Sequence, residues 1–320
     1  MTETASMATS VAPAGPSAPV IAVKGVTRTF GEKVAVRDLN LEVGQGEVCG
    51  FIGPNGAGKT TTIRMIMSIL FPDRGEISVL GHGSALQAKD RIGYLPEERG
   101  LYKKMKVASF LRYMARLKGV HDAGLAARIR NWLERVGLGE TAGKKCEDLS
   151  KGMQQKLQFL AAVIPQPDLL ILDEPFSGLD PLNLRLLKNL ILEEHRRGAS
   201  IIFSTHVMTQ AEQICNRVVM IDQGRKVLDE SLRRIRERFD PRTVLLEPLE
   251  PAWDGEGLKE LPAVSSLVKE SGEWRIRLKK GCDPASVMAG IVAAVPPARL
   301  ELYRPTLEDI FLRIVEGEAP

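Results

Sequence analysis

A glycine-rich segment that ends in a lysine and threonines has the composition of a loop that holds phosphate groups. It fits the pattern G-x-x-x-x-G-K-[ST] and lies between a predicted strand and a predicted helix. Glycines let backbone N–H groups approach phosphate oxygens, and the start of the next helix favours an anion. Lys59 is expected to reach the β- and γ-phosphates, and the Thr60 hydroxyl is expected to bind Mg²⁺. The predicted phosphate-binding residues are Gly53, Pro54, Asn55, Gly56, Ala57, Gly58, Lys59, Thr60 and Thr61.

Two adjacent carboxylates follow an apolar run further along the chain. Residues 169–172 are all Leu or Ile, and Asp173 and Glu174 come next. Such runs are typical of parallel strands buried on both faces, and ligands bind beyond the carboxyl ends of these strands. Asp173 is therefore predicted to hold Mg²⁺, and Glu174 to orient and deprotonate a water near the γ-phosphate. ATPases and small-molecule kinases stay open, whereas the sequence lacks the Asn-Lys-x-Asp element of a GTPase.

A third segment, residues 149–155, contains a predicted helix start. Ser150 can cap the helix, Gly152 permits close backbone approach, and a helix start favours an anion. The segment resembles the Leu-Ser-Gly-Gly-Gln signature of ABC-type ATPases and departs from it at Lys151 and Met153. This resemblance implies that the segment covers the γ-phosphate bound to the phosphate loop of a second subunit. It argues against a kinase.

The remaining elements of that family occur in order along the chain. The Ser-Gly-Leu-Asp run ending at Asp180 resembles the D-loop, which in the family lines the dimer interface beside the nucleotide. His206 resembles the histidine that senses the γ-phosphate, and Phe30 resembles the aromatic residue that stacks on adenine, an interaction worth roughly 1–3 kcal/mol. Glu97 stands where the family has a Gln, and we expect its carboxylate to bind Mg²⁺. Taken singly, Phe30 and His206 could be structural and Glu97 could be a surface acid.

The resemblance covers residues 20–235 and implies an α/β fold. The expected fold is a P-loop (RecA-like) ABC ATPase core with an antiparallel β subdomain and an inserted helical lobe. Residues 107–118 and 125–136 have the helical periodicity of such a lobe. Residues 1–19 are rich in Ala, Ser, Thr and Pro, which predicts a disordered tail.

Residues 236–320 predict a small α+β C-terminal domain. Short strands, together with a helical piece near Leu258, would give a βαββαβ order that suggests a ferredoxin-like domain. Thr306 begins a capping-box-like start for a last helix over Leu307 to Val315. The block resembles the C-terminal domain of ATP-binding subunits of ABC-2-type exporters, with the sodium-efflux and drug-resistance groups closest in likeness.

The composition excludes several other classes of protein. The formal net charge of +4 is small for 320 residues, so a nucleic-acid partner is not expected. No apolar run approaches the ~18 residues needed to span a bilayer. The four cysteines are far apart in the sequence, and neither a zinc site nor a disulfide framework is implied.

The family likeness implies an ATP-binding and ATP-hydrolysing subunit of an ABC transporter, an exporter, with ATP and Mg²⁺ as cofactors. Two ATP-binding chains, identical or homologous, would close head-to-tail around ATP. A transmembrane permease on another chain would be the partner, at the cytoplasmic face of the membrane. The alternative is a soluble ABC ATPase that acts on nucleic acid or ribosomes. The sequence has a single phosphate loop and no long coiled-coil or zinc insertion, which disfavours that alternative.

Overall fold

The structure is a computed structural model that describes residues 18–98, 100–238, 242–259, 261–270 and 272–316. The tail predicted over residues 1–19 lies outside the described residues except for its last two positions. The described chain divides into two compact units, with the boundary between Asp229 and Glu230. The sequence prediction placed this boundary after residue 235.

The first unit alternates strands and helices. Its strands are β1 (Ile21–Phe30), β2 (Lys33–Val43), β3 (Val48–Ile52), β4 (Arg74–Val79), β5 (Ile92–Leu95), β6 (Leu169–Asp173), β7 (Ser200–Thr205), β8 (Arg217–Asp222) and β9 (Arg225–Ser231), the last of which runs just past the boundary. Its α-helices are α1 (Lys59–Ile66), α2 (Val107–Leu117), α3 (Leu125–Arg135), α4 (Lys151–Val163), α5 (Pro181–Arg196) and α6 (Met208–Glu212).

A six-stranded sheet in the order β5-β6-β7-β3-β8-β9 forms the centre of this unit. The pairs from β5 through β8 are parallel. Every residue of β3, β6 and β7 is buried, which explains the uninterrupted apolar runs in the sequence. The carboxyl ends of these three strands meet at one edge of the sheet, so the residues that follow each strand come close together.

A separate three-stranded antiparallel sheet, β2-β1-β4, corresponds to the expected β subdomain. The expected helical lobe is present as α2 and α3, which each bury one apolar face. Phe110 and Leu111 are buried on α2, and Ile129 and Leu133 are buried on α3. The predicted ABC ATPase fold of the core is confirmed.

Three helices that begin near the predicted motifs start in different ways. Ser150 caps α4, and its Oγ accepts a hydrogen bond from Met153 N at 3.3 Å. Asp180 caps α5 and accepts from Asn183 N at 2.9 Å. By contrast, α1 begins after Gly58, whose φ of 106° favours glycine, and no side chain caps it. The backbone N–H groups at the start of α1 are therefore left for another acceptor.

The second unit is an α+β arrangement. It contains α7 (Leu232–Arg238), β10 (Thr243–Pro248), β11 (Val264–Glu270), β12 (Glu273–Leu278), α8 (Pro284–Ala294), β13 (Pro297–Leu302) and α9 (Leu307–Val315). The strands form one antiparallel sheet in the order β11-β12-β10-β13. A small core under this sheet includes Leu246, Trp274, Ile276 and Ile291.

One predicted element of the second unit is wrong. The helical piece expected near Leu258 is a turn, so the first strand reaches the second without an intervening helix in the described residues. Leu258 is fully buried in the small core from this turn, and burial by tertiary packing replaces the amphipathic helix that the sequence suggested. The last helix begins as predicted, with a capping box between Thr306 and Asp309.

No helix in the described part of either unit is both long enough and apolar enough to cross a bilayer.

Candidate nucleotide site

The loop between β3 and α1 is closed by hydrogen bonds from the lysine that follows it. Lys59 Nζ donates hydrogen bonds to Gly53 O at 2.8 Å and to Pro54 O at 3.1 Å. The lysine is buried, and burial lowers its pKa, although the carboxylate of Glu174 opposes that shift. At Gly53 and Gly58 an added Cβ would lie 2.1 Å and 2.5 Å from neighbouring backbone oxygens. Only glycine fits these two positions, so the tight loop depends on them.

Asp173 ends β6 in full burial, and its carboxylate is held by the adjacent strand. Ser204 Oγ on β7 donates to Asp173 Oδ1 at 2.5 Å, and Thr60 Oγ1 donates to the same oxygen at 3.3 Å. Burial raises the pKa of Asp173, the Ser204 hydrogen bond opposes that shift, and the nearby Glu97 carboxylate adds to it. Asp173 is therefore fixed in position beside the start of α1.

Glu174 follows in an unusual backbone conformation, and its carboxylate contacts a histidine and a lysine. Its φ of 49° lies in the left-handed region, which costs a non-glycine residue about 1–3 kcal/mol and persists only where neighbours hold it. Its N–H donates to Ser204 Oγ at 3.0 Å. Its Oε1 lies 3.0 Å from His206 Nδ1 and 3.7 Å from Lys59 Nζ. The carboxylate thus points into the space beside the phosphate loop.

Glu97 also belongs to this cluster. Thr60 Oγ1 lies 3.2 Å from Glu97 Oε2, so the hydroxyl is shared between Glu97 and Asp173. Unlike Asp173, Glu97 lies on an exposed loop after β5. Glu97 was predicted to bind Mg²⁺, and that role stays a prediction.

The donor set fits a divalent cation that shares its shell with a phosphate. The buried Oδ2 atom of Asp173 has no hydrogen-bond partner in the described chain, so one strong acceptor is left for a cation. No cluster of three or more His, Cys, Asp or Glu side chains within the described residues could hold a metal. Mg²⁺ in nucleotide sites uses one or two carboxylates together with substrate phosphates. The hydroxyl of Thr60 and the carboxylate of Asp173 match that requirement.

The remaining predicted site residues lie apart from this cluster. Ser150 and Asp180 occupy the caps of α4 and α5, and Gly152 lies in the first turn of α4. Phe30 ends β1, is 47 % exposed, and has the Arg28 guanidinium 4.9 Å from its ring centroid. Among the described hydrogen bonds and ion pairs, none joins these four residues to the cluster around Lys59.

Sequence reasoning missed Ser204 as a member of the site. The sequence patterns indicated His206 and not Ser204, yet the Ser204 hydroxyl joins Asp173 to the backbone of Glu174. The available signal was a serine that follows three apolar residues, 201–203, in a buried strand. Such a side chain needs a polar partner, and the partner became visible only when β6 and β7 proved to be neighbours.

Protein-family comparisons match both units. The family described as ABC transporter matches residues 36–177, and the family described as ATP-binding protein DrrA1-3-like, C-terminal domain, matches residues 231–315. A solved structure titled as the ATP binding subunit of an ABC transporter is 33 % identical, with a TM-score of 0.65. It covers 69 % of this chain and 93 % of its own length.

Curated relatives extend the match over nearly the whole chain. The uncharacterized ABC transporter ATP-binding protein YhaQ of Bacillus subtilis (strain 168) is 38 % identical, covering 92 % of this chain and 98 % of that protein. The Nod factor export ATP-binding protein I of Cupriavidus metallidurans is 33 % identical, covering 93 % of this chain and 98 % of its own. The ABC transporter ATP-binding protein NatA of Bacillus subtilis is 36 % identical, covering 68 % of this chain and 92 % of its own.

The predicted resemblance to the ABC-2-type group is confirmed by the pairing of an ABC core with a DrrA-like C-terminal domain. This chain belongs to the ATP-binding proteins of ABC transporters, and it is an ATPase.

Proposed function

We propose that this chain hydrolyses Mg·ATP to energise export through a transmembrane permease on another polypeptide. It acts peripherally, at the cytoplasmic face of the membrane, as one of two ATP-binding chains. The observation that carries the proposal is the cluster beside the phosphate loop, in which Lys59, Asp173 and Glu174 are buried and the exposed His206 contacts Glu174. The relatives named for Nod factor export support the direction of transport.

Lys59 can exchange its hydrogen bonds to loop carbonyls for hydrogen bonds to phosphate oxygens when nucleotide binds. Its ammonium group now donates to two carbonyls of its own loop, and phosphate oxygens are stronger acceptors for a charged donor. The uncapped N–H groups of α1 face the same space and favour an anion. The loop therefore binds the β- and γ-phosphates through preformed donors.

Glu174 acts as the general base. Its carboxylate is nearly buried and is oriented by His206 and by the backbone bond to Ser204. A base in such a position can accept a proton from a water that attacks the γ-phosphate. His206 is the more exposed member of this pair, where it contacts the base and can meet the phosphate end of a bound nucleotide.

Thr60, Asp173 and Glu97 would hold Mg²⁺. When bound, Mg²⁺ neutralises charge on the phosphate oxygens. The chain itself positions the carboxylate of Asp173. Ser204 fixes one of its oxygens, and the other has no hydrogen-bond partner among the described residues.

Ser150, Gly152 and Asp180 act on the nucleotide held by a second copy or a homologue of this chain. Within their own chain the described contacts do not join them to the Lys59 cluster, whereas the start of α4 offers N–H groups to an anion. ATP then bridges two chains and closes them, and hydrolysis reopens them. Phe30 is exposed at the end of β1, where an adenine ring can stack on it.

Substitution of the base tests this proposal. Glu174→Gln should lower turnover by about 10²–10⁴-fold, because it removes the proton acceptor, while ATP binding is kept. The neutral amide should also favour the closed dimer with Mg·ATP. Phosphate release, ATP binding and size-exclusion chromatography measure the three effects. Asp168→Asn is the matched control, since Asp168 is an exposed acid at the opposite end of the same strand. Turnover of Glu174→Gln at the wild-type rate would contradict the proposal.

A further inference from the structure

Two buried glutamines lie on one face of α4, the helix that Ser150 caps. Gln155 and Gln158 are spaced i and i+3, which places both side chains on the same face. They are 3 % and 5 % exposed, although glutamine is mostly a surface residue. Buried side-chain amides need hydrogen-bond partners, so the acceptors that they reach are informative.

Each glutamine donates to the backbone of a loop outside its own helix. Gln155 Nε2 donates to Pro175 O at 3.0 Å. Gln158 Nε2 donates to Glu98 O at 3.3 Å. These two loops come after β6 and β5, which are neighbouring parallel strands.

The two accepting carbonyls have the same position relative to the acids of the site. Pro175 directly follows Glu174, and Glu98 directly follows Glu97. One helix face therefore contacts both acid-bearing loops, through the carbonyl of the residue that follows each acid. A shift of either loop would displace an amide of α4, and a rotation of α4 would displace both acids.

The side-chain amide of Gln158 forms a hydrogen bond through its nitrogen and not through its oxygen. Gln158 Oε1 is buried and has no hydrogen-bond partner among the described residues. An unsatisfied buried acceptor costs free energy, and a hydrocarbon of the same size would avoid that cost. The structural benefit of Gln158 therefore comes from its N–H bond to Glu98.

We propose that Gln155 and Gln158 are positioning residues that couple the two acid-bearing loops to α4. Displacement of either loop by nucleotide is then carried along the helix to Ser150 at its start. This inference rests on the proposed function, in which Ser150 contacts the nucleotide of the second chain. The glutamine pair thus links the two nucleotide sites of the dimer.

The first test replaces each amide by an apolar side chain of similar length. Gln155→Met and Gln158→Met should lower kcat by about 10–100-fold through misplaced acids, with the ATP dissociation constant within about twofold of wild type. Lys156→Met is the matched control. Lys156 lies on the same helix, is buried, and donates to Val136 O at 2.8 Å, outside the two acid-bearing loops. Its loss should lower stability without this fall in kcat.

The second test uses pH and keeps the proposal falsifiable if a methionine variant folds poorly. In Gln158→Glu the ionised carboxylate cannot donate to Glu98 O, whereas the protonated acid can. Burial raises the pKa of such an acid, so activity relative to wild type should rise as the pH falls from about 8 to about 6. Gln158→Met offers no proton, and its relative activity should stay flat over the same range.

The third test follows the movement itself. Hydrogen exchange at residues 150–154 should slow on addition of Mg·ATP to the full chain carrying Glu174→Gln. In the same background with Gln155→Met and Gln158→Met, that protection should be lost while protection of the phosphate loop persists. Unchanged protection at residues 150–154, or kcat within twofold of wild type in both folded methionine variants, would overturn the inference. If Glu174→Gln itself stays active, the proposed function fails instead.

Discussion

The candidate site has a fixed half and an adjustable half. The fixed half consists of Lys59, Asp173 and Glu174, which are all buried. Ser204 donates a hydrogen bond to Asp173 at 2.5 Å, and Lys59 Nζ lies 3.7 Å from Glu174 Oε1. The adjustable half consists of Glu97 on an exposed loop and Ser150 at an exposed helix start. In the proposed function, the fixed half and Glu97 act on the nucleotide of their own chain, and Ser150 acts on that of the second chain. The two halves differ in burial, since the fixed half is buried and the adjustable half is exposed.

This difference assigns separate tasks to the two halves. Preorganised donors and acceptors need little reorganisation on binding. The fixed half of a single chain can therefore bind nucleotide and orient the water. The adjustable half completes the site only when the loop that bears Glu97 moves into place and the second chain binds. Substitutions in the fixed half should therefore disturb binding or metal affinity, and those in the adjustable half should disturb turnover or metal response.

The largest effect is expected at the fixed lysine. Lys59→Ala should weaken ATP binding by about 30-fold to about 5,000-fold, since loss of one partner from a buried charge pair costs about 2–5 kcal/mol. Equilibrium binding of a fluorescent ATP analogue measures it. Lys118→Ala is the control, because Lys118 also donates to two backbone carbonyls but lies away from the site. Equal affinity of Lys59→Ala and wild type would remove the lysine from the phosphate site.

The next effect separates the two halves directly. Ser150→Ala should leave ATP binding by one chain unchanged and lower hydrolysis by about 10²-fold, as loss of a single transition-state donor does elsewhere. Ser150→Thr keeps both the cap and a hydroxyl and should retain activity. Measurements of ATP binding and of phosphate release on the same preparations separate the two effects. Loss of binding in the Ala variant would place Ser150 in its own chain's site and end the division proposed above.

A smaller effect tests how firmly the fixed half is held. Ser204→Ala removes the hydroxyl that joins Asp173 to the backbone of Glu174. The Mg²⁺ concentration for half-maximal hydrolysis should rise by about 10–100-fold, the usual result of losing an outer-shell partner. Ser200→Ala is the matched control, because this buried serine lies at the other end of β7 and accepts from Gly46 N at 2.8 Å. Equal titrations for both variants would show that Asp173 is fixed without Ser204.

The smallest effect is expected at Glu97. Glu97→Gln should stay active within a few-fold, because an amide oxygen can also bind Mg²⁺. Wild type should depend more steeply on Mg²⁺ than the Gln variant, since Glu97 adds a negative charge beside Asp173. Glu97→Ala should impair both hydrolysis and stimulation by the membrane partner. Magnesium titrations with Glu98→Gln as the neighbouring control measure this, and identical curves for all variants would make Glu97 a surface acid.

Local patterns in the sequence were sufficient for the phosphate loop, the acid pair and several helix starts. The G-x-x-x-x-G-K-[ST] spacing requires a strand before it and a helix after it, and both are present around Lys59. The run that ends at Asp173 is a buried strand, and the capping box at Thr306 begins the last helix. Each of these depends on residues within one turn or one strand of each other, which is the range over which sequence patterns act.

Tertiary structure alone decided which distant side chains meet. Ser204 reaches Asp173 because β6 and β7 pair in a register that sets these two residues side by side, although α5 separates the strands in sequence. Gln158 reaches the loop after β5 because α4 packs near that strand. The missing helix near Leu258 has the same origin, since burial in the small core was satisfied by a turn. Strand order and helix packing minimise the free energy of the whole chain, and no local pattern encodes that sum.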